Sequence, residues 1–280
     1  MIDALPEILV EPLVRAALVE DLGRAGDITT DSVIPRAARF DGVIAARQPG
    51  VVAGVDCARI AFRLMDSDIA VTVERPDGAA VAKGDIVARI KGPARGILSA
   101  ERVALNFACR LSGIATATAR LVAAAKPHKA RIVCTRKTTP GLRLLEKHAV
   151  RAGGGVNHRF GLDDAVLIKD NHIAVAGGIR PAVERAKAAV GHLVKIEVEV
   201  DRLQQLEEVL TLPVDAVLLD NMPPDMLARA VAMVGGRIAT EASGRINEST
   251  VRDIAATGVD YISSGWITHS APILDLGLDV

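Results

Sequence analysis

Four cations stand at the ends of apolar runs and in the loop that joins two of them. Arg136 and Lys137 follow Arg131–Thr135, Lys169 follows Ala165–Ile168, and Arg159 lies in the loop between them. Guanidinium groups match carboxylates and phosphates bidentately, so fixed cations of this kind suit a small polyanion. His148, His158 and His172 fall in the same stretch. Further on, Glu197 and Glu199 alternate along Val194–Val200, and Asp220-Asn221 follows Ala216–Leu219. Carboxylates at such places hold a hard metal ion or stabilise a developing cation. Ser243-Gly244 and Ser264-Gly265 offer hydroxyl and backbone N–H groups to a phosphate. Lys169 admits a second chemistry: an amine among other cations at a strand end is a setting for a Schiff base.

These residues need a scaffold that brings strand ends together. From about residue 115 apolar runs alternate with helical segments. The runs are Arg131–Thr135, Ala165–Ile168, Val194–Val200, Ala216–Leu219, Arg237–Ala239 and Asp260–Ser263; the helices are Leu142–Ala152, Arg180–Val190, Leu203–Leu210, Asp225–Val234 and Ser249–Ala256. Such alternation predicts a parallel sheet with helical crossovers. Six or seven units fit, too few for a complete eight-fold barrel. A doubly wound sheet would normally offer a glycine-rich phosphate loop after its first strand, and none is present.

In a barrel the carboxyl ends of the strands build the site. Lys195, Glu197 and Glu199 share one strand face; that face is the interior of a barrel with outer helices, or water beside an exposed edge strand. Arg143, Lys147 and Arg151 recur at helical spacing and read as a solvated face. Gly153-Gly154-Gly155 reads equally as a close backbone approach to a ligand or as a flexible linker.

The first part of the chain carries shorter β-type runs at Asp41–Ala46, Val51–Val55, Ile69–Val73 and Ile86–Ile90, preceded by an amphipathic helix around Pro12–Val19. This predicts a mostly antiparallel sheet. Ser99 reads as the N-cap of a helix with Arg102 in its first turn. That helix ends at Ser112-Gly113, and a second, Ala-rich helix runs to about Ala125.

Composition narrows the function. Lys plus Arg equals Asp plus Glu at 34 each, so no global basic field exists for a nucleic acid. Aromatic residues make up 2 % of the chain, which leaves few rings for base stacking and a core of Ala, Val, Leu and Ile. No apolar run is long enough to span a membrane, and the first residues are acidic where a signal peptide would be basic. Three distant cysteines, Cys57, Cys109 and Cys134, lack metal-ligand spacing and fit a reducing cytoplasm. The sequence has no HExxH, Walker loop or GxSxG elbow.

Three segments carry a family resemblance. They are Thr135-Arg136-Lys137-Thr138-Thr139-Pro140-Gly141-Leu142-Arg143, Gly153-Gly154-Gly155-Val156-Asn157-His158-Arg159 and Leu167-Ile168-Lys169-Asp170-Asn171-His172. With Glu197-Val198-Glu199-Val200, Leu219-Asp220-Asn221, Glu241-Ala242-Ser243-Gly244 and the tail around Thr268-His269-Ser270, they resemble the quinolinate phosphoribosyltransferase family in order along the chain. The resemblance implies an N-terminal α/β sandwich domain (1–115, with the tail 270–280 packed back on it) and an incomplete six- or seven-stranded parallel α/β barrel (116–269).

It also implies an activity: phosphoribose passes from phosphoribosyl pyrophosphate to quinolinate with loss of CO₂, giving nicotinate mononucleotide for NAD biosynthesis. Mg²⁺ is the implied cofactor, and a head-to-tail homodimer or larger assembly with shared sites is the implied form. Arg102 of a neighbouring subunit, Arg136, His158, Arg159 and Lys169 would hold the quinolinate carboxylates. Thr135, Lys137, Glu199, Asp220, Ser243, Gly244, Arg245, Ser264 and Gly265 would hold the donor, with Glu199 and Asp220 at the metal. Lys137, Glu199 and Asp220 are the implied catalytic groups. Arg245 and Trp266 depart from the family's pattern of small residues beside the donor phosphate.

Overall fold

The computed structural model describes residues 2–280, which divide into two compact units. The first comprises the chain through Ala119, Thr139–Gly154 and Ser270–Val280; the second comprises Arg120–Thr138 and Gly155–His269. The expected barrel segment is therefore interrupted, since residues 139–154 pack with the first unit.

In chain order the first part holds α1 (Glu7–Leu22), α2 (Ile28–Val33), β1 (Arg39–Ala46), β2 (Gly50–Val51), α3 (Val55–Met65), β3 (Ala70–Val73), β4 (Ala80–Val81), β5 (Ile86–Pro93) and α4 (Ala94–Ala125). Then follow β6 (Arg131–Val133), α5 (Arg143–Ala152), β7 (Val166–Ile168), α6 (Asp170–Ala176), α7 (Ile179–Ala189), β8 (Ile196–Val200), α8 (Leu203–Val209), β9 (Ala216–Asp220), α9 (Pro224–Val234), β10 (Ala239–Ser243), α10 (Val251–Ala256), β11 (Tyr261–Ser263), α11 (Trp266–His269) and β12 (Leu276–Asp279).

The first unit is built on an antiparallel sheet ordered β12-β1-β5-β3. The tail strand β12 pairs with β1 from Val43↔Asp279 to Ala46↔Leu276. The expected strand Val51–Val55 is instead a two-residue strand followed by α3, whose buried Val55, Ala58 and Phe62 fall on one helical face. Asp77 closes its start by accepting from the Gly54 and Val55 N–H groups at 2.9 and 3.1 Å. Asp77 also pairs with His148 Nε2 at 2.9 Å.

Helix α4 is continuous, without the expected break at Ser112-Gly113. Gly113 lies mid-helix because a Cβ there would overlap the Pro272 carbonyl oxygen; the glycine serves packing and not termination. The helix also begins before Ser99, whose hydroxyl donates to Asp27 Oδ2 at 2.9 Å. Arg102 is accordingly two turns in and exposed, so it does not oppose the positive end of the helix dipole.

The expected solvated face of α5 is corrected as well. Glu146 and Lys147 are buried, at 0 % and 1 % exposure. Glu146 accepts from Arg110 Nη2 at 3.1 Å and from the Thr139 hydroxyl at 2.7 Å, which offsets the cost of burying its charge. Arg143 is half-buried; of the three, Arg151 alone is exposed.

The second unit is a six-stranded parallel sheet ordered β6-β11-β10-β9-β8-β7, open between β6 and β7. It is an incomplete α/β barrel. A single parallel bridge, Val133↔Val156, lines the open side of β6. Helices α6 to α10 connect the strands from β7 onward. Helices α7 to α10 bury short apolar stripes, as in Leu227, Ala230 and Val234 of α9, which starts at Pro224 and stops at a left-handed Gly235, whereas the short α6 buries none of its residues. The expected strand Arg237–Ala239 lies further along, at β10, because its Glu241 and Ser243 are strand residues facing the interior.

Candidate active site

On β8 the pleat places Ile196, Val198 and Val200 in the core and leaves Glu197 and Glu199 half-buried on the opposite face. Their side chains retain 13 % and 15 % exposure, so the charged face is the barrel interior and not open water. Lys195 does not join them: its ammonium bonds Asp215 at 2.5 Å and its side chain is 76 % exposed. Lys129 likewise pairs with Asp260 at 2.6 Å. The amino ends of the strands thus close their charges within the protein.

The carboxyl ends gather their charged groups in one place. They surround a cavity of about 760 Å³ lined by Thr135, Arg136, Lys137, His158, Arg159, Lys169, Glu199, Asp220, Ser243, Gly244, Arg245, Ser264 and Gly265. Of the residues the family resemblance assigns to the site, all line it except Arg102, which belongs to the first unit; Glu197, His148 and His172, also singled out from the sequence, do not line it. Five cationic side chains, Arg136, Lys137, Arg159, Lys169 and Arg245, face three carboxylates, Glu199, Asp220 and Glu241. The sequence reading omitted Glu241 as a site residue, and also Asn221, Asn247 and His269, which line the same cavity. A glutamate in mid-strand was the available signal for Glu241.

Arg136 and Arg159 are half-buried neighbours. Burial first, and then the nearby Arg136 charge, hold the Arg159 guanidinium below its ordinary range. Arg136 Nε is buried without a hydrogen-bond partner, a donor that costs on the order of 1–3 kcal/mol until something accepts from it. Arg159 Nη1 donates to the Ala165 carbonyl at 2.9 Å, which fixes the side chain. Across the cavity Lys169 Nζ pairs with Glu199 Oε2 at 2.6 Å.

His158 is held by both ring nitrogens. Nδ1 accepts from the Arg159 N–H at 2.8 Å, and Nε2 lies 3.1 Å from Glu197 Oε2 and 3.6 Å from Glu241 Oε2. His158 thus meets the cavity wall with both ring nitrogens in contact with protein groups.

The opposite wall is backbone-rich. Gly244 has φ +101°, and a Cβ there would overlap Asn221 Oδ1. Asn221, at φ +52°, donates from its N–H to the Ser243 carbonyl at 2.9 Å. Gly265 lies against the Lys137 stem, and the Thr268 hydroxyl donates to the Lys137 carbonyl at 2.9 Å. Arg245 keeps φ +51°, a conformation glycine adopts freely, so its side chain is carried at a position where the fold favours a smaller residue. Gly153, by contrast, has no part in the cavity: a Cβ on it would overlap the Ala115 carbonyl. It is neither a ligand approach nor a linker.

Two family models cover nearly the whole chain: quinolinate phosphoribosyl transferase, N-terminal domain, over residues 27–112, and its C-terminal domain over 114–279. The chain belongs to the quinolinate phosphoribosyltransferase family. Among similar members of that family, the probable nicotinate-nucleotide pyrophosphorylase [carboxylating] of Bacillus subtilis is 43 % identical over 97 % of this chain and 93 % of its own. The nicotinate-nucleotide pyrophosphorylase [carboxylating] of Mycobacterium leprae is 44 % identical over 95 % of each chain. The crystal structure of NadC from Streptococcus pyogenes matches with a TM-score of 0.96 at 38 % identity, covering 99 % of this chain and 98 % of that one. The quinolinate phosphoribosyltransferase fold, with one barrel unit and one antiparallel-sheet unit, is thus shared over nearly all of the chain.

Proposed function

We propose that this chain transfers phosphoribose from phosphoribosyl pyrophosphate to quinolinate with decarboxylation, giving nicotinate mononucleotide, CO₂ and pyrophosphate. The observation that carries the reading is the strand-end cavity. Its two neighbouring guanidiniums and Lys169 suit a dicarboxylate, and its glycine and serine wall suits phosphate. Quinolinate is a dianion, and Arg136, Arg159 and Lys169 fix its orientation through bidentate and charge-assisted bonds. Lys137, Arg245, Thr135, Ser243, Gly244, Ser264 and Gly265 take the phosphates of the donor. A Schiff-base reading is less well supported, because Lys169 stands as the cation of an ion pair with Glu199.

The ring nitrogen attacks C1 of the ribose as the bond to pyrophosphate breaks with its electron pair. Glu199 and Asp220 face the positive charge that grows on C1. The ribosylated nitrogen then draws electrons from C2, so the bond to the adjacent carboxylate breaks, CO₂ leaves and C2 takes a proton. The protein contributes mostly position and neutralisation.

Glu199 and Asp220 also fit Mg²⁺. Each is a half-buried hard oxygen donor on the cavity wall with one oxygen tied, Glu199 to Lys169 and Asp220 to the Asn221 side chain at 2.6 Å. Mg²⁺ is typically bound by one or two carboxylates plus substrate oxygens. Held by Glu199 and Asp220, the ion would supply positive charge against the departing pyrophosphate.

A head-to-tail homodimer completes this reading, with Arg102 of a second copy reaching the quinolinate carboxylates. The exposed Leu162, Val175 and Leu193, at 73 %, 91 % and 83 % exposure on the barrel unit, support association with a second copy. Among the described residues no helix is long and apolar enough to cross a membrane, and all three cysteines are free and buried, which supports a reducing, cytoplasmic setting. The test is incubation with quinolinate, phosphoribosyl pyrophosphate and Mg²⁺: formation of nicotinate mononucleotide supports the reading, and its absence refutes it.

A further inference from the structure

Beneath the cations, His158, Glu197 and Glu241 bring their ligand atoms within 4.8 Å of one another. Three such groups suggest a divalent-cation site, but the hydrogen bonds argue otherwise. Nδ1 of His158 accepts from the Arg159 N–H, so the ring proton sits on Nε2. A protonated nitrogen cannot ligate a metal. The cluster therefore offers one N–H to two carboxylates. Glu197 takes it at 3.1 Å; Glu241 lies at 3.6 Å, beyond good hydrogen-bond reach. Glu241 is also buried, at 6 % exposure, and its Oε1 has no hydrogen-bond partner. An ionised carboxylate so placed would be both unsolvated and beside a like charge.

We infer that Glu241 is a positioning residue for substrate binding: it stays as the neutral acid, leaves the His158 Nε2–H to Glu197 alone, and thereby keeps the imidazole and the Arg159 backbone it receives in the orientation the carboxylate site uses. The inference rests on the quinolinate reading for its consequence, though not for the protonation of Glu241 itself.

The surroundings of Glu241 agree. On β11 Tyr261 lies alongside it in register, and Leu218 on β9 is its apolar neighbour. Glu197 on β8, His158 and the more distant Lys169 are the charged or titratable groups facing it. Burial first, and then the Glu197 charge, push the Glu241 carboxyl up to about 7, with His158 opposing. The sign follows. Below that pH Glu241 is neutral and the floor of the site carries one carboxylate. Above it a second negative charge appears beside a site for a dianion and competes for the single N–H, so quinolinate affinity falls.

Calorimetric titration of quinolinate at about pH 6 and about pH 8 tests this in the wild type and in Glu241→Gln, which fixes the neutral form. The wild type should lose about tenfold in affinity across that range, one unit above the titration point, and the variant should show a flat profile. An equally steep profile in both overturns the inference. So does saturable Mn²⁺ binding, without substrates, to the wild type that Glu241→Gln abolishes. Carbon NMR of wild-type protein labelled at the glutamate carboxyls decides the protonation directly, even if the variant fails to fold. One carboxyl titrating near 7 supports it, and all glutamates titrating in the ordinary range overturn it. Absence of quinolinate binding at both pH values would refute the parent reading, while the carbon titration would still decide the state of Glu241.

Discussion

Lys169 Nζ lies 2.6 Å from Glu199 Oε2, joining the cation that ends β7 to the interior carboxylate of β8. The contact sets two jobs side by side. One partner is a cation fitted to a substrate carboxylate, and the other an anion facing the sugar or its metal. Neighbouring strands of a parallel sheet deliver both to one end, so a few residues of opposite charge can address the two substrates from adjacent positions.

Removing a guanidinium from the clamp should cost mainly quinolinate. Arg136→Ala or Arg159→Ala leaves a carboxylate unpaired in a desolvated site, a loss of about 2–5 kcal/mol. Calorimetric titration of each substrate checks it: quinolinate affinity should fall sharply and donor affinity little. Equal weakening of both would count against the assignment.

Glu199→Gln and Asp220→Asn should lower kcat more than they raise the KM for quinolinate, because their partner is a developing cation or a metal and not the ground-state dicarboxylate. Steady-state kinetics distinguishes the two. A changed KM with kcat intact would place these carboxylates in substrate binding instead.

Arg102 supplies a test of sharing between subunits. Arg102→Ala and Lys137→Ala chains should each be inactive. After mixing and exchange at equal ratio, about half the dimers pair one chain of each kind, and each such dimer has one intact site. About a quarter of wild-type activity should return. Complete exchange, verified by mass, with no recovered activity would place both residues in one subunit's site.

Much of this was legible in the sequence, for a physical reason. Strand-end polar residues in a βα array have few places to go, so Arg136, Lys169, Asp220 and Ser243 converge once the sheet is parallel, and the two-residue period puts Glu197 and Glu199 inside together. What failed was local. Val51–Val55 reads as a strand because a short apolar run fits either element, and the Asp77 carboxylate that starts α3 is distant in sequence. Lys147 reads as solvated because helical spacing alone does not reveal that both faces of α5 are covered. Gly113 reads as a break because the chain segment that presses against it, Pro272-Ile273, arrives only after folding. Glu241, though part of a strand-end segment, is not legible as a site residue because a buried glutamate is exceptional, and its surroundings come from His158 and Glu197 in two other segments.

On this reading one cavity both forms the bond from nitrogen to ribose and releases the neighbouring carboxylate. Quinolinate labelled in the carbon of its C2 carboxylate, incubated with the protein, phosphoribosyl pyrophosphate and Mg²⁺, tests it most directly. Labelled CO₂ should appear in step with pyrophosphate, in equal amount, and none should be released when the donor is left out. Labelled CO₂ released without the donor, or pyrophosphate released with the label retained in the product, would contradict it.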